Sequence, residues 1–388
     1  MKKLAIAIII ICLLPISILA TADIVIEIEI PLLEEPTDDI KKQEEVDFEK
    51  EQSSTDENAL KEEFKLVLEQ ILSDRNNYIL QKDATNLKAL YDLDIKSSLY
   101  AYEHEAIKIK YLKEWASKQG IQFEAIDSNV KLRKVRNRGN DLFGMTTNVC
   151  TTFTYSYINE PEVKTVFKLG TSHYLHLKKS EDKYIIIKEW YTDPFADSLK
   201  LKKQPEDLTK YIISQSKPDY TPNERTKKAI EYAHKHCGIG EGENMFKYNL
   251  KKYMDCNPIG GDCANFASQI MFEGGGFEKN KTWNYSNEGT KAWVNAQGFT
   301  NYIIESGRGR CIDKGSYEKI YKSSFKLRPG DFVAYEKNDR ITHVSTVTGI
   351  DNKGYPLVTC HNTDRLLVPY DLGWSNSNIT FHLIDVYY

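Results

Sequence analysis

The period of the apolar residues changes once along the chain, at Gly120, and that change restricts the fold more than any other feature. Before it, Leu60, Phe64, Val67, Leu68 and Ile71 recur at three- and four-residue steps. Ile107, Tyr111, Leu112 and Trp115 form a second stripe of the same kind. Each stripe predicts a helix with one buried face, and Gly120 ends the second helix. After it, segments 121–135, 149–158, 163–177 and 184–191 are rich in β-branched and aromatic residues, with Ser180-Glu181-Asp182-Lys183 as a hairpin turn. Helices followed by antiparallel strands define an α+β class. His173 and His176, three apart on one strand, point to opposite faces and do not share a metal.

Pro and turn formers mark a boundary between Pro194 and Pro222, and the 388 residues suit about two or three domains of roughly 100–200 residues each. Hydrophobic residues at 41% and charged residues at 28% fit folded, soluble domains. At the start, Lys2 and Lys3 precede an apolar run from Leu4 to Leu19 and the small residues Ala20-Thr21-Ala22, the shape of a secretory signal over 1–22. An uncleaved signal would be the chain's only membrane anchor. Residues 23–57, dominated by Asp and Glu, are expected to be an acidic solvated spacer. The folded parts are then 58–195, a linker at 196–221, and 222–388. Losing Lys2 and Lys3 moves the formal net charge from −4 to −6, and no basic stripe remains, which excludes nucleic acid as a partner. The expected location is secreted or cell-surface associated.

The chemistry concentrates in Gly260-Gly261-Asp262-Cys263-Ala264-Asn265-Phe266-Ala267-Ser268-Gln269. Cys263, Phe266, Ala267, Ile270 and Met271 share a helical face, so the cysteine opens a helix. Free N–H groups at a helix start favour thiolate over thiol, and the two glycines let a substrate carbonyl approach backbone donors. Asp262 is expected to turn inward and cap the helix, keeping its charge off the sulfur.

A base follows about eighty residues later: His343 lies in the strand-like run Ile341–Gly349, and a hairpin at Asp351–Gly354 returns the chain antiparallel to His361. His361, Asn362 or Asp364 is then placed to orient the imidazole of His343. Asn257, six residues before the cysteine, is a candidate oxyanion donor, its simpler reading being a turn residue before Pro258. Trp283 and Trp293 are candidates for a substrate groove, the simpler reading being core. Cys256, Cys263, Cys360, His343 and His361 have no paired Cys-x-x-Cys spacing, so no metal is expected, and the chemistry requires no cofactor.

A cysteine on a helix followed by a histidine on an antiparallel sheet is the papain-like order. Residues 223 to about 370 resemble the putative amidase domain family, a papain-like group similar to CHAP domains. The resemblance rests on Asn223-Glu224-Arg225, the block around Cys263, Trp283, Ala292-Trp293-Val294, Gly330-Asp331, His343-Val344 and His361 through Arg365. Two positions depart from it: Ala264 stands where the family usually has Thr, and the small polar residue after His361 is shifted. The resemblance implies a Cys–His hydrolase of amide bonds, with peptidoglycan peptides as the usual substrates. The alternative is a module that binds wall peptides without turning them over. The helix-then-strand order of 58–195 resembles the cone fold of nuclear-transport-factor-like domains, with ligand pocket or spacer as its expected role.

Overall fold

The computed structural model describes the backbone of residues 46–388 apart from 182, 196–198, 200, 202–203, 240–247 and 375–377, and side chains from residue 58. The expected signal and the spacer up to residue 45 lie outside the described residues. Helix α1 (Val46–Gln81) begins within the last part of the expected spacer and buries Phe64, Leu68 and Ile71 on one face. Helix α2 (Lys96–Gln119) buries a face centred on Glu105, Ile109, Leu112 and Ala116. Ile107, expected in that stripe, is exposed because it lies on the far side of the helix. Gly120 caps α2 at φ 73°, its N–H reaching the carbonyls of Ala116 and Ser117. A Cβ there would also lie 2.6 Å from Ile213, so the glycine serves packing as well as the turn.

The chain then forms an antiparallel meander, β1 (Ile121–Asn137), β2 (Leu142–Tyr157), β3 (Glu160–Ser180) and β4 (Lys183–Tyr191). The stretch expected to be a linker carries α3 (Leu208–Ser214), whose Leu208 and Ile212 enter the core. Helix α4 (Glu224–His236) starts at Asn223, whose side chain accepts from Thr226 N at 2.9 Å. Helix α5 (Cys263–Gln269) runs on into a π turn, and α6 (Lys291–Val294), α7 (Ala296–Glu305), β5 (Gly309–Gly315) and α8 (Tyr317–Ser324) follow. The last strands are β6 (Phe332–Lys337), β7 (Arg340–Ile350), β8 (Pro356–Cys360), β9 (Asp364–Pro369) and β10 (Ile379–Val386).

These strands make one ten-stranded sheet in the order β1-β2-β3-β9-β8-β7-β6-β10-β5, with β4 also on β3, and every named pair is antiparallel. The molecule is therefore α+β around a large antiparallel sheet. The long β3 offers one edge to two partners: Lys168, Leu169 and Gly170 pair with β9, and His173 to Ser180 pair with β4. Residues 52–388 form one unit. One core joins residues of α1, α2, α3 and α8 to Val333, Tyr335, Val347 and Val358, so it continues from the early strands into the late ones. A second core gathers Cys263, Ala264 and Ala267 of α5 with Ala334 and Val344. Across the first core, Lys118 pairs with the buried Asp371, which also accepts from Trp115 Nε1 at 3.0 Å and Tyr355 Oη at 2.6 Å. Tyr155 and Tyr157 of β2 donate to Asp351 at 2.9 and 2.7 Å. Among the described residues, no helix is long and apolar enough to cross a membrane.

Candidate active site

The turn before Cys263 is shaped by contacts that only glycine permits. Gly261 sits at φ 117°, and a Cβ on it would lie 2.2 Å from Asn362 Nδ2. Its N–H is committed to the Cys256 carbonyl at 2.9 Å, and the Asp262 N–H to Asn362 Oδ1 at 2.5 Å, so neither faces a substrate, contrary to the expectation for this turn. Asn362 and Thr363 reach over the turn with φ of 68° and 61°, a conformation that costs a β-branched residue energy and recurs at functional loops.

Asp262 does turn inward, but its side chain makes no cap. Oδ1 accepts from Cys256 N at 3.0 Å and Asn265 Nδ2 at 2.8 Å, and Oδ2 lies 2.5 Å from His361 Nδ1. Trp293 Nε1 donates to Asn265 Oδ1 at 2.9 Å, which extends the chain of bonds behind α5. The ring of His361 is held between Phe266 and Tyr248, with centroids 3.8 and 3.9 Å away, and its Nε2 meets the His236 carbonyl at 2.8 Å. Burial pulls its pKa down, yet the bond to Asp262, the charges of Asp364 and Asp262 and the His236 carbonyl outweigh it, so the net shift is upward. Both ring nitrogens are thus engaged away from His343. His361 is the counter-ion of Asp262 in this geometry and does not orient His343.

Cys263 is buried, and burial pushes its thiol up to about 12. The Val344 backbone N–H and the Ala264 N–H act in the other direction, and the neighbours Cys360 and Asp262 raise it further. The expected lowering by the helix start therefore does not prevail. A helix end contributes about 0.3–1 kcal/mol, while each pKa unit is worth about 1.4 kcal/mol, and α5 has only 7 residues.

His343 stands opposite Tyr335 on β6, and Val344 stands opposite Ala334. Neighbours on a strand face opposite sides, so Val344 joins Cys263 in one core while the His343 ring lies with Tyr335 on the other. There its Nε2 is 3.0 Å from Ser345 Oγ, and it stacks on Trp374 with centroids 5.1 Å apart. Burial, then the charge of Arg365, pushes its pKa down to about 3. Among the described residues no hydrogen bond joins His343 to Cys263, His361, Asn362 or Asp364. Ser345 was open to discovery from the two-residue period of its strand; Trp374 carried no local signal.

His343, Asn362, Asp364 and Asn257 line a cleft of about 720 Å³. Asp364 Oδ1 accepts from Tyr248 Oη at 2.7 Å while Oδ2 has no partner among the described residues, and burial pushes this carboxyl up to about 7. Asn257 Nδ2 contacts the same hydroxyl at 3.4 Å. Trp283 and Trp293 line no groove: both are fully buried behind α5, with their indole N–H groups on Ser268 Oγ and Asn265 Oδ1. The opposite wall belongs to the early strands, through Arg133, Asn148, Gly170 and Ser172, none of which sequence reasoning singled out. Among the described residues, no group of three His, Cys, Asp or Glu side chains could hold a metal ion.

No curated protein matches the chain. Among solved structures it is similar to the intermembrane space region of chloroplast protein ARC6, at 12% identity, TM-score 0.20, and 33% and 95% coverage of this chain and that one. It is also similar to Bd1075 of Bdellovibrio bacteriovorus, at 21% identity, TM-score 0.18, and 32% and 39% coverage. Over residues 223–384, the C-terminal part of the chain matches the family described as the putative amidase domain.

Proposed function

We propose that the chain is an exported cysteine hydrolase that cleaves amide bonds of wall peptides, its C-terminal half built on a papain-like plan and its N-terminal half on a cone-like one. The match to the putative amidase domain supports amide hydrolysis. The observation that carries the cysteine mechanism is the packing of α5 against β7, which puts Cys263 in one core with Val344, the strand residue that follows His343. Thiol and imidazole both rest neutral, so the proton moves as the sulfur attacks. The His343 ring rests on the face of β7 away from Cys263, so the step requires the start of β7 to turn over; His343 then leaves Ser345, accepts the thiol proton through a ring nitrogen, and the sulfur adds to the carbonyl. N–H groups of the first turn of α5, with Asn257 Nδ2 from the cleft wall, hold the oxyanion. The protonated imidazole passes its proton to the leaving amine as the C–N bond breaks; water, deprotonated by the same ring, then attacks the acyl-enzyme, the C–S bond breaks to release the acid, and the ring returns the proton to sulfur.

The second reading, a module that binds wall peptides without cleaving them, draws on the buried thiol and on a histidine ring bonded to Ser345. Purified sacculi incubated with the protein and with its Cys263→Ala variant, followed by mass spectrometry of released fragments, separates the two. The hydrolase reading expects new amine or carboxyl ends with the parent only. Release by neither protein, with retention of both on the sacculi, sinks it in favour of binding.

A further inference from the structure

The cleft wall opposite His343 holds an arginine that the amide hydrolase reading leaves without a task. On β1 the register with β2 slips between Leu132 and Lys134, which makes Arg133 the extra residue of a β-bulge. Bulges re-aim a side chain out of the regular alternation, and this one delivers Arg133 to the cleft. The guanidinium is held there by a buried asparagine. Oriented so that its oxygen faces donors and its nitrogen an acceptor, the Asn148 amide accepts at Oδ1 from Arg133 Nε at 2.9 Å and Nη2 at 2.8 Å, while Nδ2 donates to Ser172 Oγ at 3.1 Å. This neutral clamp orients the fork without neutralising it, and among the described residues nothing else engages Nη1 or the second hydrogen of Nη2.

The other charged groups of the cleft already have partners of their own. Asp193 meets His104 at 2.5 Å, Asp364 accepts from Tyr248, and Asp255 accepts from Asn257 N at 2.8 Å. Arg365 donates to the carbonyls of Leu372 and Pro194, both at 2.7 Å. Arg133 has no carboxylate partner among the described residues.

We infer that Arg133, set by the β1 bulge and by Asn148, is a specificity residue that binds a free carboxylate of the substrate, so that the early strands recognise an acidic peptide held in the cleft that His343 also lines. The inference rests on the wall-peptide reading above. A planar carboxylate meets the open end of a guanidinium through two parallel bonds, a geometry a lysine cannot supply.

The test uses the full chain carrying Cys263→Ala, so that nothing is cleaved, and sacculi stripped of phosphate polymers. One portion is left native and the other has its carboxylates converted to amides with carbodiimide and ammonia. Arg133→Gln should weaken retention on native sacculi about tenfold and change nothing on the amidated ones. Asn148→Asp, which occupies the fork with an internal carboxylate while keeping Arg133, should reproduce the native-sacculus loss. Equal retention of parent and Arg133→Gln on native sacculi overturns the inference, as does an equal loss on both preparations, which would mark a merely structural arginine. A parent that does not bind sacculi overturns it too. Because retention is read without turnover, failure of the hydrolase reading and failure of the carboxylate site are separate outcomes.

Discussion

At neutral pH neither Cys263 nor His343 carries charge, since burial holds the thiol near 12 and the imidazole near 3. A buried thiol is a poor target for alkylation. Iodoacetamide at pH 8 should therefore label the exposed Cys311 well before Cys263, as peptide mass mapping would show. Preferential labelling of Cys263 would mean that its site opens. The log of kcat/KM should also stay flat from pH 5 to pH 8, without the inflection near 6.5 that a solvated histidine would give. Asp364 behaves differently. Its folded pKa, about 7, is raised above the unfolded value of about 3.9, so its carboxylate lowers stability increasingly as pH rises between those values, with no further change above. Asp364→Asn should gain about 1–3 kcal/mol more in stability at pH 8 than at pH 5 by urea denaturation, and a pH-independent gain would contradict the assignment. How visible these residues were beforehand differs for physical reasons. Cys263 announces itself because the glycines and the helical period lie in one short segment. Arg133 does not, because in Lys131-Leu132-Arg133-Lys134 it resembles any solvated basic face until the bulge and the distant Asn148 are known.

Among the elements, the turn from Cys256 to Cys263 is held tightly by its neighbours. Gly261→Ala would combine an unfavourable φ with a clash against Asn362, and should cost about 1–3 kcal/mol of stability. The hydrolase reading adds a larger loss in kcat than in KM, since the displaced turn carries the nucleophile. An alanine variant of normal stability and rate would show that the turn relaxes freely. The helices and strands on either side of Gly120 were legible from their period alone. Helix α3 was not, since its 7 residues lie between proline and serine punctuation and its helicity comes from packing Leu208 and Ile212. The indoles of Trp283 and Trp293 were ambiguous for a related reason. An aromatic at helical spacing marks a buried face, but not whether protein or ligand covers it.

At the scale of the whole molecule, the early and late strands are one sheet and share one core. Urea unfolding of residues 52–388 should therefore show coincident transitions by far-UV circular dichroism and tryptophan fluorescence, and two separated transitions would count against a shared core. Lys118→Met should remove about 3–5 kcal/mol by the same measurement, because it leaves Asp371 buried without its cation. A loss below about 1 kcal/mol would mean that Trp115 and Tyr355 satisfy the carboxylate by themselves. The strand pairing that joins the halves could not be read in advance: β3 and β9 lie nearly two hundred residues apart, and only three pairs connect them. Those three pairs decide how a ligand gets in. Parting the walls of the cleft would mean unzipping backbone from backbone along the edge of β3, so the protein works as a jaw cast in one piece. The width of that fixed cleft, rather than a closing motion, then sets the thickness of the molecules it admits.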